Sequence, residues 1–420
     1  DQPVGAGRYP AWVPAAVVGS AIVSVILVSM GYDFISNSAR ATSAFTIIGN
    51  SMTRLPNRDN ALSYGVLAMV LTTWLSGVLL VTAENKEAKD ASSWWRALGL
   101  TAGVSAAVIL LFWLWHAGSL AALASLVPST TTEVLTQINS LGGLLTSFYF
   151  YLFMIIFGVA AFLPSGWPSR APGASAIGAF LAPVVVLVVV LLVYVTNLQV
   201  IHSDIAFKMA DPFTKSRQWQ VATLLYQRAL QLTPNEDHYY LFLGRSYLEQ
   251  AKISQDAEEQ ADLVQQAQDD LKKAQRINPL NTDHTANLGR LLSWWAGMAG
   301  DATVRVERGE EASRYYSLAV KLSPNNPTLW GEWAILLLDV LRQPDAALEK
   351  LNHAVELDDQ YAFTQGLLGD YYHSQGRSLA DVDVKREALE TAASYYERAF
   401  EVTKSSEASS RASYLVSLGN

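Results

Sequence analysis

Five stretches of this chain hold about twenty residues each with no Asp, Glu, Lys or Arg: 11–31, 61–83, 97–118, 141–163 and 176–198. A bilayer core of ~30 Å asks for about 20 mainly apolar residues in a helix. In lipid every backbone polar group needs an internal partner, so such stretches are restricted to helices. Soluble core helices keep a polar stripe, and these have none. Trp12, Trp94, Trp95, Trp167 and Tyr194 lie near stretch ends, where amphipathic rings favour the interface. No small-residue cleavage site follows the first stretch, which is therefore read as a span and not as a signal peptide.

Charge divides the chain at about residue 200. Residues 1–199 carry 8 Lys/Arg and 7 Asp/Glu, and residues 200–420 carry 22 and 31, a net of −9. The reading is a membrane domain over 1–199 and a water-soluble domain over 200–420. An acidic soluble half argues against nucleic acid, which needs surplus Lys and Arg. With no cysteine there is no disulfide, thiolate zinc site, iron–sulfur cluster or thiol nucleophile. The first residue is Asp1, not Met, which raises the expectation of a processed or truncated chain with a portion upstream.

An odd number of spans puts the N-terminus and the soluble half on opposite sides. Segment 84–96 has three cations and segment 119–140 has none, which favours 84–96 in the cytoplasm and the soluble half outside. Arg40, Arg54 and Arg58 in segment 32–60 pull the other way. His116, near the end of the third stretch, is read as an interfacial histidine in preference to a proton relay. Pro183 is expected to kink the fifth span without ending it.

The soluble half repeats a ladder of small, large and small residues. It runs Ala222–Tyr226–Ala229–Pro234, Ala267–Leu271–Ala274–Pro279 and Ala312–Tyr316–Ala319–Pro324. It continues as Ala347–Leu351–Ala354, with Asp359 in place of proline, and Ala392–Tyr396–Ala399, with Lys404. Small residues permit close helix crossing, the large one fills the gap, and proline stops the helix. Before each later ladder stands a first-helix pattern: the full aromatic, Leu, Gly and aromatic set at Tyr240–Leu243–Gly244–Tyr247, and weaker copies at Leu288–Gly289–Leu292, Trp330–Trp333–Ala334–Leu337 and Leu368–Gly369–Tyr372. Paired helices repeating every ~34 residues are tetratricopeptide-like. The expected fold is all-α: about five transmembrane helices, then an α-solenoid of about five helical hairpins. Extra residues around 250–262, 297–308 and 375–385 are read as longer helices, with solvated loops as the other possibility. The tail 406–418 suits a terminal capping helix.

No metal, cofactor, nucleotide or hydrolase motif is legible. His238 and His284 follow Asp237 and Asp283, but both pairs fit helix starts better than catalysis. Asn235 and Asn281 (or Thr282) are the expected caps, and His284 is read as a turn residue. Acidic runs at 256–259 and 307–311 are read as solvated faces. The inward positions of the first helices give a candidate partner-binding groove: His238, Arg245, Asp283, Arg290, Trp294, Asp339, Asp370 and His373. A mixed-charge groove with one aromatic suits a peptide, a partner helix or a glycan.

Segments 197–230 (NLQVIHSDIAFKMADPFTKSRQWQVATLLYQRAL) and 277–291 (INPLNTDHTANLGRL), with YDFISN at 32–37, give the chain a resemblance. It resembles the C-terminal portion of O-antigen ligase/polymerase-like bacterial membrane proteins with a tetratricopeptide tail. The resemblance implies a multi-span protein of the bacterial inner membrane, associated with lipid-linked glycans. The family's chemistry belongs to earlier spans and a large extracytoplasmic loop with functional Arg and His. No such loop is present here, so no catalytic residue carries over. The functional expectation is a membrane-anchored scaffold that binds partner proteins through the groove. The alternatives are a glycan ligase or polymerase, with Arg54, Arg58 and His284 as its test positions, and a structural subunit of a larger membrane complex.

Overall fold

The computed structural model describes residues 9–38, 41–55, 60–126, 130–162, 176–403 and 407–419. Arg40, Arg58, Trp167, Lys404 and the chain start lie outside them. The chain divides into two compact units, Asp1–Ile205 and Ala206–Asn420.

The first unit is built from α1 (Trp12–Ser36), α2 (Ala44–Thr53), α3 (Gly65–Ala83), α4 (Ala91–Ala124), α5 (Thr131–Phe162) and α6 (Ala176–Val193). A π-helical turn, Tyr194–Leu198, leads into α7 (Gln199–Lys208). Between α2 and α3 two short strands, β1 (Arg54–Leu55) and β2 (Ala61–Leu62), pair antiparallel. Five of the helices are long and apolar enough to cross a membrane.

Small residues set the packing of α1. Its buried face repeats at helical spacing through Ala16, Gly19, Ser20, Val23, Ser24, Leu27 and Gly31. Val81 of α3 fills the space a Cβ would take at Gly19, and the Trp113 indole of α4 fills that at Gly31. The indole nitrogen of Trp113 then donates to the Leu27 carbonyl at 3.2 Å. Helices held by shape and a few buried hydrogen bonds are what a lipid environment favours. Leu75, Leu79, Phe150, Phe157, Leu187 and Leu191 point outward.

Several sequence expectations are corrected here. Segment 119–140 is mostly helix, because α4 continues through the Ala- and Leu-rich turns to Ala124 and α5 starts at Thr131. Thr130 and Glu133 exchange side-chain and backbone hydrogen bonds at that start, a reciprocal cap. Segment 84–96 is likewise shortened, since Asp90 and Ser93 form a capping box that starts α4 at Ala91. Helix α6 continues past position 183, in keeping with the expectation that Pro183 does not end it. The His116 side chain does not reach outward to headgroups: it is fully buried among its neighbours, and α4 runs two turns beyond it. It lies 2.9 Å from the Ser36 hydroxyl and stacks on Phe112.

The second unit continues with α8 (Asp211–Lys215), α9 (Trp219–Leu232), α10 (Asp237–Ile253), α11 (Ala257–Ile277), α12 (Thr282–Gly297) and α13 (Ala302–Leu322). Then come α14 (Pro327–Ile335) with a π-helical turn over Leu336–Val340, α15 (Pro344–Leu357), α16 (Ala362–Ser378), α17 (Val382–Val402) and α18 (Ala408–Gly419). These form tetratricopeptide-like pairs: α10 on α11, α12 on α13, α14 on α15 and α16 on α17. The ladder alanines are buried throughout, and so are Tyr226, Leu271, Tyr316, Leu351 and Tyr396 between them.

The extra residues lengthen helices. Second helices α11, α13 and α17 have 21 residues each, and α9 and α15 have 14. The seven-residue difference is close to two α-helical turns, so the ladder face stays in phase. Each long helix starts on an aspartate, Asp256, Asp301 or Asp381, whose carboxylate accepts backbone N–H bonds of the first turn. The acidic run at 256–259 is thus a helix start and not only a solvated face. The short helices follow a different turn, with Arg217 and Arg342 at φ 58° and 55°. Asn281 caps α12 as expected, but α10 is preceded by Glu236 without a side-chain cap bond, not by Asn235. Placing Asp237 inside the first turn frees its carboxylate to reach the next repeat.

Candidate functional site

The eight groove candidates stand on the first helices of successive pairs. His238 and Arg245 are on α10, and Asp283, Arg290 and Trp294 on α12. Asp339 lies in the π-helical turn after α14, and Asp370 and His373 on α16. On these helices Leu243, Leu288, Ala334 and Leu368 are buried in the core, while His238, Arg245, Asp283, Asp339 and Asp370 are exposed.

The structure brings some of them together. His238 and Arg245 both lie against the Phe242 ring, at 4.7 Å and 5.5 Å, and His238 also against Phe207 at 5.2 Å. Arg290 donates to both carboxylate oxygens of Glu332 on α14, at 3.0 and 2.9 Å, tying one pair to the next. Partial burial pushes the Asp339 carboxyl up; Arg342 opposes this and the Asp370 charge adds to it. Asp370 also accepts the Tyr396 hydroxyl at 2.7 Å. Trp294 is half-buried against the Leu241–Leu248 cluster and serves packing. Asp283 is exposed in the first turn of α12, at its positive end. His373 is half-buried one turn beyond Asp370.

Sequence reasoning missed the residues that answer these groups. Phe242 lies on the same helix as His238 and Arg245, while Phe207 on α7, Glu332 on α14 and Tyr396 on α17 meet their candidates from other helices. Arg290 and Glu332 are 42 residues apart, close to one repeat. Charges of opposite sign at neighbouring repeat positions were the available signal.

His284 is corrected from a turn residue to a fully buried helix residue of α12. Its Nε2 donates to Asp237 Oδ2 at 2.5 Å, and Asn278 and Asn281 donate to the same oxygen at 3.1 and 3.4 Å. A histidine sealed from solvent, beside a carboxylate already accepting three hydrogen bonds, has no room for a substrate. The cluster joins α10 to α12 across the repeat boundary. Arg54, the other described test position for an enzyme, donates to the Asn60 carbonyl at 3.3 Å. Among the described residues no group of three or more His, Cys, Asp or Glu is placed to hold a metal ion.

A cleft of about 560 Å³ lies between α8, α9 and α10. Lys215, Arg217 and Arg245 stand in its lining with Trp219, Tyr226 and Phe242. Of its cations, only Arg245 is among the groove candidates read from the sequence.

No family model and no curated relative matches this chain. Solved structures similar to it include TTC0263, a thermophilic TPR protein of Thermus thermophilus. That likeness has 19% identity, covers 52% of this chain and 100% of that one, and has a TM-score of 0.41. YrrB, described as a TPR protein with an unusual peptide-binding site, is 19% identical over 50% of this chain and 91% of its own, with a TM-score of 0.31. PilF of Pseudomonas aeruginosa is 15% identical over 51% of this chain and 90% of its own, with a TM-score of 0.34.

Proposed function

We propose that this protein is a membrane-anchored scaffold whose repeat unit holds a partner protein beside the bilayer of the bacterial envelope. The observation that carries the reading is the division of labour on the first helices. Their apolar residues complete a core with the second helices, while Arg245, Asp283, Asp339 and Asp370 remain at an exposed face running through four pairs. A preformed polar surface of that kind loses little freedom on binding. Five helices long and apolar enough to span a membrane supply the anchor.

The proposed partner surface is the groove formed by that face. The test is stoichiometric co-purification from native membranes in mild detergent. The partner is expected to remain with the wild-type chain and to be lost from a D283K/H373A variant. Recovery of the chain alone under several mild conditions contradicts the reading.

The soluble unit is proposed to lie outside the cytoplasm, on the strength of Lys86, Lys89 and Arg96 near one inter-span segment. A cysteine-free chain makes single-cysteine labelling clean. Gln266→Cys should react with an impermeant maleimide in spheroplasts and Lys86→Cys should not; the reverse pattern places the unit inside. Association with lipid-linked glycan machinery, as accessory or as transferase, has only the sequence resemblance behind it. A structural-subunit role has the outward apolar faces of α3, α5 and α6 in its favour, since such faces pack on lipid or on other spans alike.

A further inference from the structure

The cleft between α8, α9 and α10 differs in charge from the unit that contains it. Residues 200–420 carry nine more acidic than basic side chains. The cleft is lined by three cations, Lys215, Arg217 and Arg245, against one carboxylate, Glu249. That carboxylate is paired with Lys252 at 2.6 Å, while among the cations Lys215 is paired with Asp211 at 2.6 Å. Among the described residues neither Arg217 nor Arg245 is in an ion pair; the Arg245 guanidinium lies 5.5 Å from the Phe242 ring, and Arg217 shares the lining with Trp219 and Ile253, the last 63% exposed.

A second cleft of about 500 Å³ continues from the first, sharing Arg217, Trp219 and Ile253. Its further lining has three amides, Gln218, Gln220 and Gln250, of which the first and last already donate to Ser216 and Thr223, and one carboxylate, Glu259, which accepts the Ser254 hydroxyl at 2.6 Å. Amide side chains both donate and accept, which matches a peptide backbone. Guanidinium groups match carboxylates in charge and in planar geometry. The aromatic and aliphatic wall matches an apolar side chain. A lipid headgroup would use the cations and leave Ile253, Trp219 and the amides without a role.

Resting on the scaffold reading above, we propose that this double cleft is the anchoring site for the partner. Its ligand is an extended peptide segment that carries a carboxylate next to an apolar side chain. The carboxylate lies on Arg217 and Arg245, the apolar side chain enters the Trp219–Phe242–Ile253 wall, and the backbone runs along the glutamines. Complementary charge of this kind sets which segment is accepted.

The test uses the full chain in detergent micelles and fluorescence anisotropy. The probe is a fluorescein-labelled decapeptide pool with the core Glu-Leu-Glu-Phe and randomised flanks, beside the same pool with Gln in place of Glu. The Glu pool should bind at least tenfold more tightly than the Gln pool. Arg217→Gln and Arg245→Gln should each weaken it about tenfold, and Arg245→Lys should weaken it less, with circular dichroism unchanged throughout. Equal binding of the two pools, or full binding by both Gln variants, overturns the proposal. If neither pool binds while the partner still co-purifies in a D283K/H373A-sensitive manner, the groove reading stands and the cleft chemistry falls. If the Gln variants instead lose only retention on phosphatidylglycerol vesicles, the cleft holds headgroups and the peptide assignment is overturned.

Discussion

Gly369 on α16 lies against the ring of Tyr396 on α17: a Cβ placed at Gly369 would stand 2.5 Å from Cε1 of that ring. The same relationship recurs where Gly244 meets Leu271 and Gly289 meets Tyr316, with nearest approaches of 2.8 Å and 3.3 Å. This is the physical content of the ladder in three of its five copies: Leu271, Tyr316 and Tyr396 each sit on a glycine of the partner helix, while the α14 helix has Ala334 at the matching position.

Replacing these glycines by alanine sets two effects against each other. Alanine gains about 1 kcal/mol of helix propensity over glycine, and overpacking costs about 1–3 kcal/mol. At Gly369 and Gly244 the overlap should win; at Gly244 one obstacle is the Ala267 backbone oxygen at 3.0 Å. At Gly289 the looser contact should leave the change near neutral. Thermal unfolding of the full chain in detergent checks this, at roughly 2–4 °C per kcal/mol. Equal shifts for all three variants contradict the packing argument.

The Asp237–His284 cluster should make the array acid-sensitive. Partial burial pushes the Asp237 carboxyl up, but hydrogen bonds from His284, Asn278 and Asn281 outweigh it and hold the group below the usual carboxylate range. A folded value below the unfolded one, near 3.9, stabilises the fold above that pH. The contribution is lost as pH falls through the folded value. The drop in melting temperature between pH 6 and pH 3.5 should therefore be smaller in Asp237→Asn than in the wild type. An identical drop removes the cluster from the account.

In the first unit, Gly31→Ala should disturb the seat of the Trp113 indole and its bond to the Leu27 carbonyl. Gly99→Ala, which meets nothing within 4 Å, is the matched control. Thermal aggregation in detergent should fall by several degrees for the first variant and be unchanged for the second. Equal behaviour would mean that α1 and α4 are not held by this contact.

The fold was legible because its signals repeat. Charge-free stretches marked the apolar helices, and five ladders in register marked the second helices of the array. Helix ends were less legible, since Asp90–Ser93 and Thr130–Glu133 are short capping signals hidden in polar segments. His116 and His284 were misjudged for one reason: each has its partner, Ser36 or Asp237, far away in sequence. The groove residues could be placed on their helices by register alone. Which of them are occupied, as Arg290 is by Glu332, depends on neighbours in the next repeat. The cleft was missed because Lys215, Arg217 and Trp219 precede the first ladder, where no register had yet been set.

The central claim is that the exposed face of the first helices receives a partner at the membrane. Site-specific photo-crosslinking in native membranes tests it most directly, with benzoylphenylalanine at Asp283, at His373, and at Gln266 on the outer side of α11. The account predicts one discrete adduct, with the same partner, from the first two positions and none from the third. No adduct from either groove position, or equal adducts from all three, would contradict it.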